Sequence, residues 1–221
     1  MTARQYECGG ADRICPEGSS TPKFVDKGFY SDPARPPTVR TQQFQCRPGS
    51  WCRNGLRFPC ERGYYGIEPG LTEPQCSGIC PRGYYCPEGS DDPTAHKCGD
   101  QSFYCPPGSW EPTRVSEGYY TINAVLNGGE AVQFVDPDAM TASGQLICEV
   151  GYYCIDGAKR ICPEGTFGLE EGLSDPMCSG ACSAGFTCPA GSNSSEAIDC
   201  GGSEFYCPPG EPGRDSRRVV D

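Results

Sequence analysis

A small disulfide-rich fold, an elongated array of loop-rich, strand-poor cysteine-rich modules with short β-hairpins, is predicted by three observations. The chain holds 18 cysteines in 221 residues, it is short of large apolar side chains, and its cysteine pattern repeats.

At about 8% of residues, cysteine dominates the architecture and points to an oxidising, extracellular compartment. Leu, Ile, Val and Phe number 32 of 221 residues, too few for a chain to collapse around an apolar core of its own. The 30 Gly and 22 Pro punctuate the chain with turns and leave no stretch for a long helix. Metal ligation competes with disulfides as a use for the thiols. A zinc site needs closely paired ligands such as Cys-x2-Cys. The closest pair here, Cys76 and Cys80, is separated by three residues, and His96 is the only histidine. Disulfides are therefore expected, with no metal and no cofactor, and an even count allows complete pairing.

Shifting the chain by 102 residues superimposes eight cysteines without a gap. Cys46, Cys52, Cys60, Cys76, Cys80, Cys86, Cys98 and Cys105 fall on Cys148, Cys154, Cys162, Cys178, Cys182, Cys188, Cys200 and Cys207. Self-similarity at a fixed period is the signature of a repeat architecture. Cys8 and Cys15 match Cys98 and Cys105, so the chain is expected to open at the end of an earlier repeat. The expected divisions are residues 1–45 (end of a repeat and spacer), 46–108 (first complete repeat), 109–147 (spacer with insertion), 148–210 (second complete repeat) and 211–221 (start of the next spacer). Cys8 with Cys15 would close the cut repeat at the start, and by repetition Cys98 would pair with Cys105 and Cys200 with Cys207. Spacing leaves the remaining connectivity open.

Gly28-Phe-Tyr30 and Gly118-Tyr-Tyr120 align at a shift of 90, so twelve residues enter between Tyr120 and Cys148. Asn127-Gly128 between two β-favouring runs predicts a hairpin with a type I′ turn over Thr121–Val135. Its counterpart, Asp32-Pro-Ala-Arg-Pro-Pro37, carries three prolines and cannot form the same hairpin. Asn127, Gly128 and Phe134 are candidates to reach a neighbouring molecule. Gly-aromatic-aromatic recurs at Gly28, Gly63, Gly83, Gly118 and Gly151. Alternation along an extended segment would set one ring over a disulfide and the other towards solvent or a partner. Cys-Pro-x-Gly at Cys15, Cys80, Cys105, Cys162, Cys188 and Cys207 reads as a turn, with proline fixing one φ and glycine supplying a positive one.

Asn193-Ser-Ser195 is a candidate acceptor for N-linked sugar in a polar loop. No catalytic constellation is expected: His96 has no paired nucleophile, and oxidised cysteines are not nucleophiles. Asp91-Asp92 and Asp136-Pro-Asp138 lack the ligand spacing of a calcium loop. A net charge of −11 argues against nucleic-acid partners. Met1 is followed by neither a charged start nor an apolar run, so a secretory signal is expected upstream or already removed, and no membrane insertion is expected of these residues. Residues 1–62 carry ten Lys and Arg against six Asp and Glu, whereas the rest carries eight against twenty-three. That imbalance favours a heterologous contact between copies, which propagates rather than closes.

The run Cys60-Glu-Arg-Gly-Tyr-Tyr-Gly, Gly70-Leu-Thr, Cys76-Ser-Gly-Ile-Cys80-Pro-Arg-Gly-Tyr-Tyr-Cys86, together with its copy from Cys162, resembles the ephrin-receptor-like cysteine-rich repeats of the broader TNF-receptor-like class. Long arrays with this wording resemble those of large surface glycoproteins from algae, oomycetes and other protists. The resemblance implies stacked modules without catalytic activity, and pairing of Cys60 with Cys76 and of Cys162 with Cys178. The expected function is an extracellular rod, filament or coat subunit whose partners are other copies of itself. The alternative is a receptor or adhesin ectodomain that binds a glycan or another extracellular protein.

Overall fold

The computed structural model describes residues 7–127, 130–134, 140–201 and 205–210, giving the backbone alone for 124–127 and 130–134. Gly128 and the 211–221 spacer thus lie outside the described residues. Among them the chain forms short strands and one 3-10 turn, Pro37–Val39, with no α-helix. The strands make eight two-stranded sheets and one three-stranded sheet, all antiparallel within each sheet. The fold is small, disulfide-rich and loop-rich, as the composition predicts.

Every cysteine is cross-linked, and each pairs with its neighbour in sequence. Cys8–Cys15, Cys98–Cys105 and Cys200–Cys207 are joined, as are Cys60–Cys76 and Cys162–Cys178, the pairs expected from the repeat and from the resemblance. Cys46–Cys52, Cys80–Cys86, Cys148–Cys154 and Cys182–Cys188 complete the set, each across six residues. Fifteen of these cysteines are buried, against five other apolar side chains among the described residues. Sulfur therefore replaces hydrocarbon as the core material. Closing loops this short removes about 2–3 kcal/mol of unfolded-chain entropy per bridge.

One local rule builds the repeats. A strand begins just after a turn that ends in glycine, reverses, and its partner strand ends one residue before a cysteine. Phe29–Ser31 pairs with Gln43–Gln45 ahead of Cys46, Ser50–Arg53 with Leu56–Pro59 ahead of Cys60, and Tyr64–Tyr65 with Gly78–Ile79 ahead of Cys80. The turns stack through the backbone. Gly49 C=O accepts from Cys60 N–H, and Cys60 C=O accepts from Gly89 N–H, both at 2.9 Å. Gly49 sits at φ 76°, and a Cβ there would stand 2.3 Å from the Gly89 oxygen, so only glycine admits this approach. The same relay runs through Cys46, Cys80, Cys148, Cys162 and Cys182.

Two compact units result: residues 1–98 with 105–112, and 99–104 with 113–221. The division falls inside the Cys98–Cys105 loop instead of in a linker. Residues within the 1–45 and 109–147 stretches take part in the packing. In the first unit Ser31 and Arg40 are buried; in the second, Tyr120 and Ile122 pack on Cys148 and Cys154.

The inserted hairpin is present, with Asn123–Asn127 paired to Glu130–Phe134 in the register Asn127↔Glu130. It extends a base common to both repeats, since Tyr119–Ile122 pairs with Gly144–Ile147 as Phe29–Ser31 does with Gln43–Gln45. The prolines of 32–37 end the first repeat's version early, because proline cannot donate to a ladder. Tyr119–Asn127 is the central strand of its three-stranded sheet, with Glu130–Phe134 and Gly144–Ile147 as the outer strands. Alternation of the paired rings holds at Tyr119/Tyr120 and Tyr152/Tyr153, where the second ring is buried and the first half-buried. At Phe29/Tyr30, Tyr64/Tyr65 and Tyr84/Tyr85 both rings are half-buried.

Candidate interaction surface

A junction recurs in each unit. In the first, Ser31 Oγ donates to the Ala11 carbonyl in the Cys8–Cys15 loop at 2.7 Å, and Arg40 donates to Ser31 Oγ at 2.6 Å and to the Arg35 carbonyl at 2.9 Å. In the second, Thr121 Oγ1 donates to the Gln101 carbonyl in the Cys98–Cys105 loop at 3.0 Å. A hairpin tip completes each junction. Gly55 C=O accepts from Ser31 N–H, and Gly157 C=O from Thr121 N–H, both at 3.0 Å. Asn54-Gly55 and Asp156-Gly157 are two-residue turns with positive φ at both positions, the geometry of type I′. The sequence carries this signal in Asn54-Gly55 as plainly as in Asn127-Gly128, but in Asn54-Gly55 it sits between closely spaced cysteines that mask its β-favouring flanks.

Charge separates the two repeats at one equivalent place. In the second unit the Glu149 carboxylate accepts from the Tyr120 hydroxyl at 3.3 Å and meets the Lys159 ammonium. That ammonium lies 5.1 Å from the Tyr120 ring centre and 4.3 Å from that of Tyr152, within cation–π range. Burial pushes the Tyr120 phenol up, and the Glu149 charge pushes the same way. At Glu149 burial works to raise the carboxyl, but Lys159 and the hydrogen bonds outweigh it and hold the group below its ordinary value.

In the first unit Arg57 takes the Lys159 position, 5.5 Å from the Tyr30 ring centre, and Arg47 stands where the second repeat has Glu149. Both arginines are exposed. They line a shallow cleft of about 340 Å³ with Gly49, Ser50, Pro59 and Gly89, and no carboxylate lines it. By contrast a cleft of about 400 Å³ in the same unit sets Asp12, Asp26 and Glu73 beside Lys27 and Arg53, so charges of both signs line it.

The other candidate residues occupy surface positions. Asn193 is exposed in the loop between Cys188 and Cys200, and Ser195 lends its carbonyl to Ser183 N–H at 2.9 Å. The Asn127 and Phe134 backbones belong to the inserted hairpin. His96 stacks on Tyr85 with ring centres 5.1 Å apart. Asp92 accepts from Thr94 N–H at 2.7 Å and from its hydroxyl at 2.8 Å, and these bonds hold its carboxyl below the usual value. It fastens a turn, while Asp136 and Asp138 lie outside the described residues. Among the described residues no group of three or more His, Cys, Asp or Glu is placed to hold a metal ion, and no helix is long and apolar enough to cross a membrane.

No protein-family model matches the chain, and no curated protein matches it either.

Proposed function

We propose that this chain is an extracellular structural protein, a subunit of a rod, filament or coat assembled from disulfide-stapled repeats, and that it performs no catalysis. The observation that carries the reading is the repeated junction. Ser31 on the Ala11 carbonyl and Thr121 on the Gln101 carbonyl join each hairpin to the cystine loop before it by the same contact. A contact reproduced from repeat to repeat is what an array needs in order to extend. Nine local cross-links suit a material that persists outside the cell, where thiols stay oxidised. The resemblance to ephrin-receptor-like repeats favours the same assignment. Electron microscopy of native material carrying this protein, decorated with an antibody to it, tests the reading. A regular axial spacing of label is expected; label scattered singly over a cell membrane would overturn it in favour of a receptor or adhesin.

A further inference from the structure

We propose that the cleft between Arg47 and Arg57 is a socket for a carboxylate, and that its occupant is an acidic side chain of a second copy of this chain. The inference gives the self-assembly proposed above a specific contact.

The second repeat shows what the socket holds. There the equivalent cation, Lys159, is neutralised by Glu149, whose other oxygen takes the Tyr120 hydroxyl. The first repeat keeps the cation over the tyrosine, Arg57 on Tyr30, but puts a second cation, Arg47, where the carboxylate belongs. Neither Arg47 nor Arg57 makes an ion pair among the described residues. Asp91 borders the cleft, with its Cβ 3.4 Å from where a Gly49 Cβ would stand, and it too makes no ion pair. Two like charges facing one cleft repel, and an incoming anion relieves that repulsion. Guanidinium groups present planar pairs of N–H donors that match a carboxylate. The chain supplies the complementary partner itself, because residues 63–221 hold twenty-three acidic against eight basic side chains. Among them Glu170 and Glu171 are adjacent and exposed. A basic cleft on one copy and an acidic surface on the next form a heterologous contact, the kind that propagates.

Sedimentation velocity on the oxidised full chain tests this. Wild type is expected to self-associate at low salt and to dissociate at about 0.5 M salt, where charges are screened within a few ångströms. Arg47→Glu installs the second repeat's own solution, an internal carboxylate beside Arg57. It is expected to weaken association about tenfold or more, the loss of a charge-assisted contact, with thermal stability equal or higher. Arg47→Gln should fall between the two, and its unchanged disulfide map controls for folding. Association equal in all three proteins, or a wild type that stays monomeric at low salt, would overturn the proposal. So would loss of heparin retention in Arg47→Glu with self-association intact, which would assign the cleft to a sulfated polysaccharide. The axial spacing in native material is judged separately, so the filament reading and the socket stand or fall on different measurements.

Discussion

The tightest constraints in the molecule fall on single residues at the junctions. Gly55 has φ 73°, and a Cβ there would stand 1.8 Å from the Ala11 carbonyl oxygen. Gly18, at φ 78°, has nothing within 4 Å of its Cβ position. Gly18→Ala should therefore cost only the left-handed backbone, about 1–2 kcal/mol. Gly55→Ala should cost clearly more, because the hairpin tip must lift from the loop it caps and break the Ser31 contacts. Non-reducing thermal melts of the two variants make the comparison; equal losses would show that the close approach does not matter. Glu149 supplies a pH test. Its folded value lies below its ordinary value of 4.5, so its contribution to stability is present above that value and is lost as pH falls through the lower folded one. With its side chain 47% exposed, the pair with Lys159 is worth at most about 1 kcal/mol. Glu149→Gln should flatten the acid limb of the stability curve by that amount and leave its neutral region nearly level. How far such residues were legible varies. Cystine partners at Cys8, Cys98 and Cys200 followed from the register alone, whereas Gly55 and Gly157 did not, because what they touch lies 44 and 56 residues away, beyond any local pattern. The Cys-x-x-Gly turn shows the same limit. Proline marked it at some sites, yet Cys46, Cys60, Cys148 and Cys182 use it with Arg, Glu, Glu and Ser after the cysteine, since glycine's φ is the requirement and proline only a convenience.

Hairpins are the working elements, and the inserted one is separable from the scaffold. Tyr120 and Ile122 pack with Cys148 and Cys154 on the shared base of the hairpin, below Asn123. The extension, Asn123–Asn127 with Glu130–Phe134, adds length beyond that packed base. Deleting residues 123–134 should leave the disulfide map unchanged and the melting temperature within a few degrees of wild type, a range that corresponds to about 1 kcal/mol or less. Scrambled disulfides after the deletion would mean that the extension helps to set the fold. Asn-Gly foretold a hairpin here because two-residue type I′ turns match strand twist, but the pairing Asn127↔Glu130 puts Asn127 at the end of the strand and not in the turn. Its shared base was not foretold, since strands of three and four residues such as Phe29–Ser31 and Gly144–Ile147 are too short to show an alternating pattern.

For the molecule as a whole, stability depends on covalent closure more than on burial. Among the described residues, apart from cysteine, the buried apolar side chains are Ile14, Tyr120, Ile122, Ala142 and Tyr153, while Phe24, Ile67, Leu169 and Met177 are more than half exposed. Full burial of a large apolar side chain stabilises by about 1.5–3 kcal/mol, whereas ordering each residue costs about 1–2 kcal/mol of backbone entropy. Hydrocarbon alone falls far short for a chain of 221 residues. The cystines make up the difference chiefly by restricting the unfolded chain. Because every bridge joins neighbours in sequence, each restricts only its own segment, and no bridge crosses another. Full reduction with thiols blocked should therefore abolish the folded circular-dichroism spectrum throughout. Removing one bridge, for example by Cys8→Ser with Cys15→Ser, should loosen the loop that holds Ala11 and its contact with Ser31 while hydrogen exchange around Cys60–Cys76 stays slow. Protection lost evenly across the whole first unit after that double substitution would refute the idea of local closure, and a folded spectrum surviving complete reduction would refute the dependence on cystine itself.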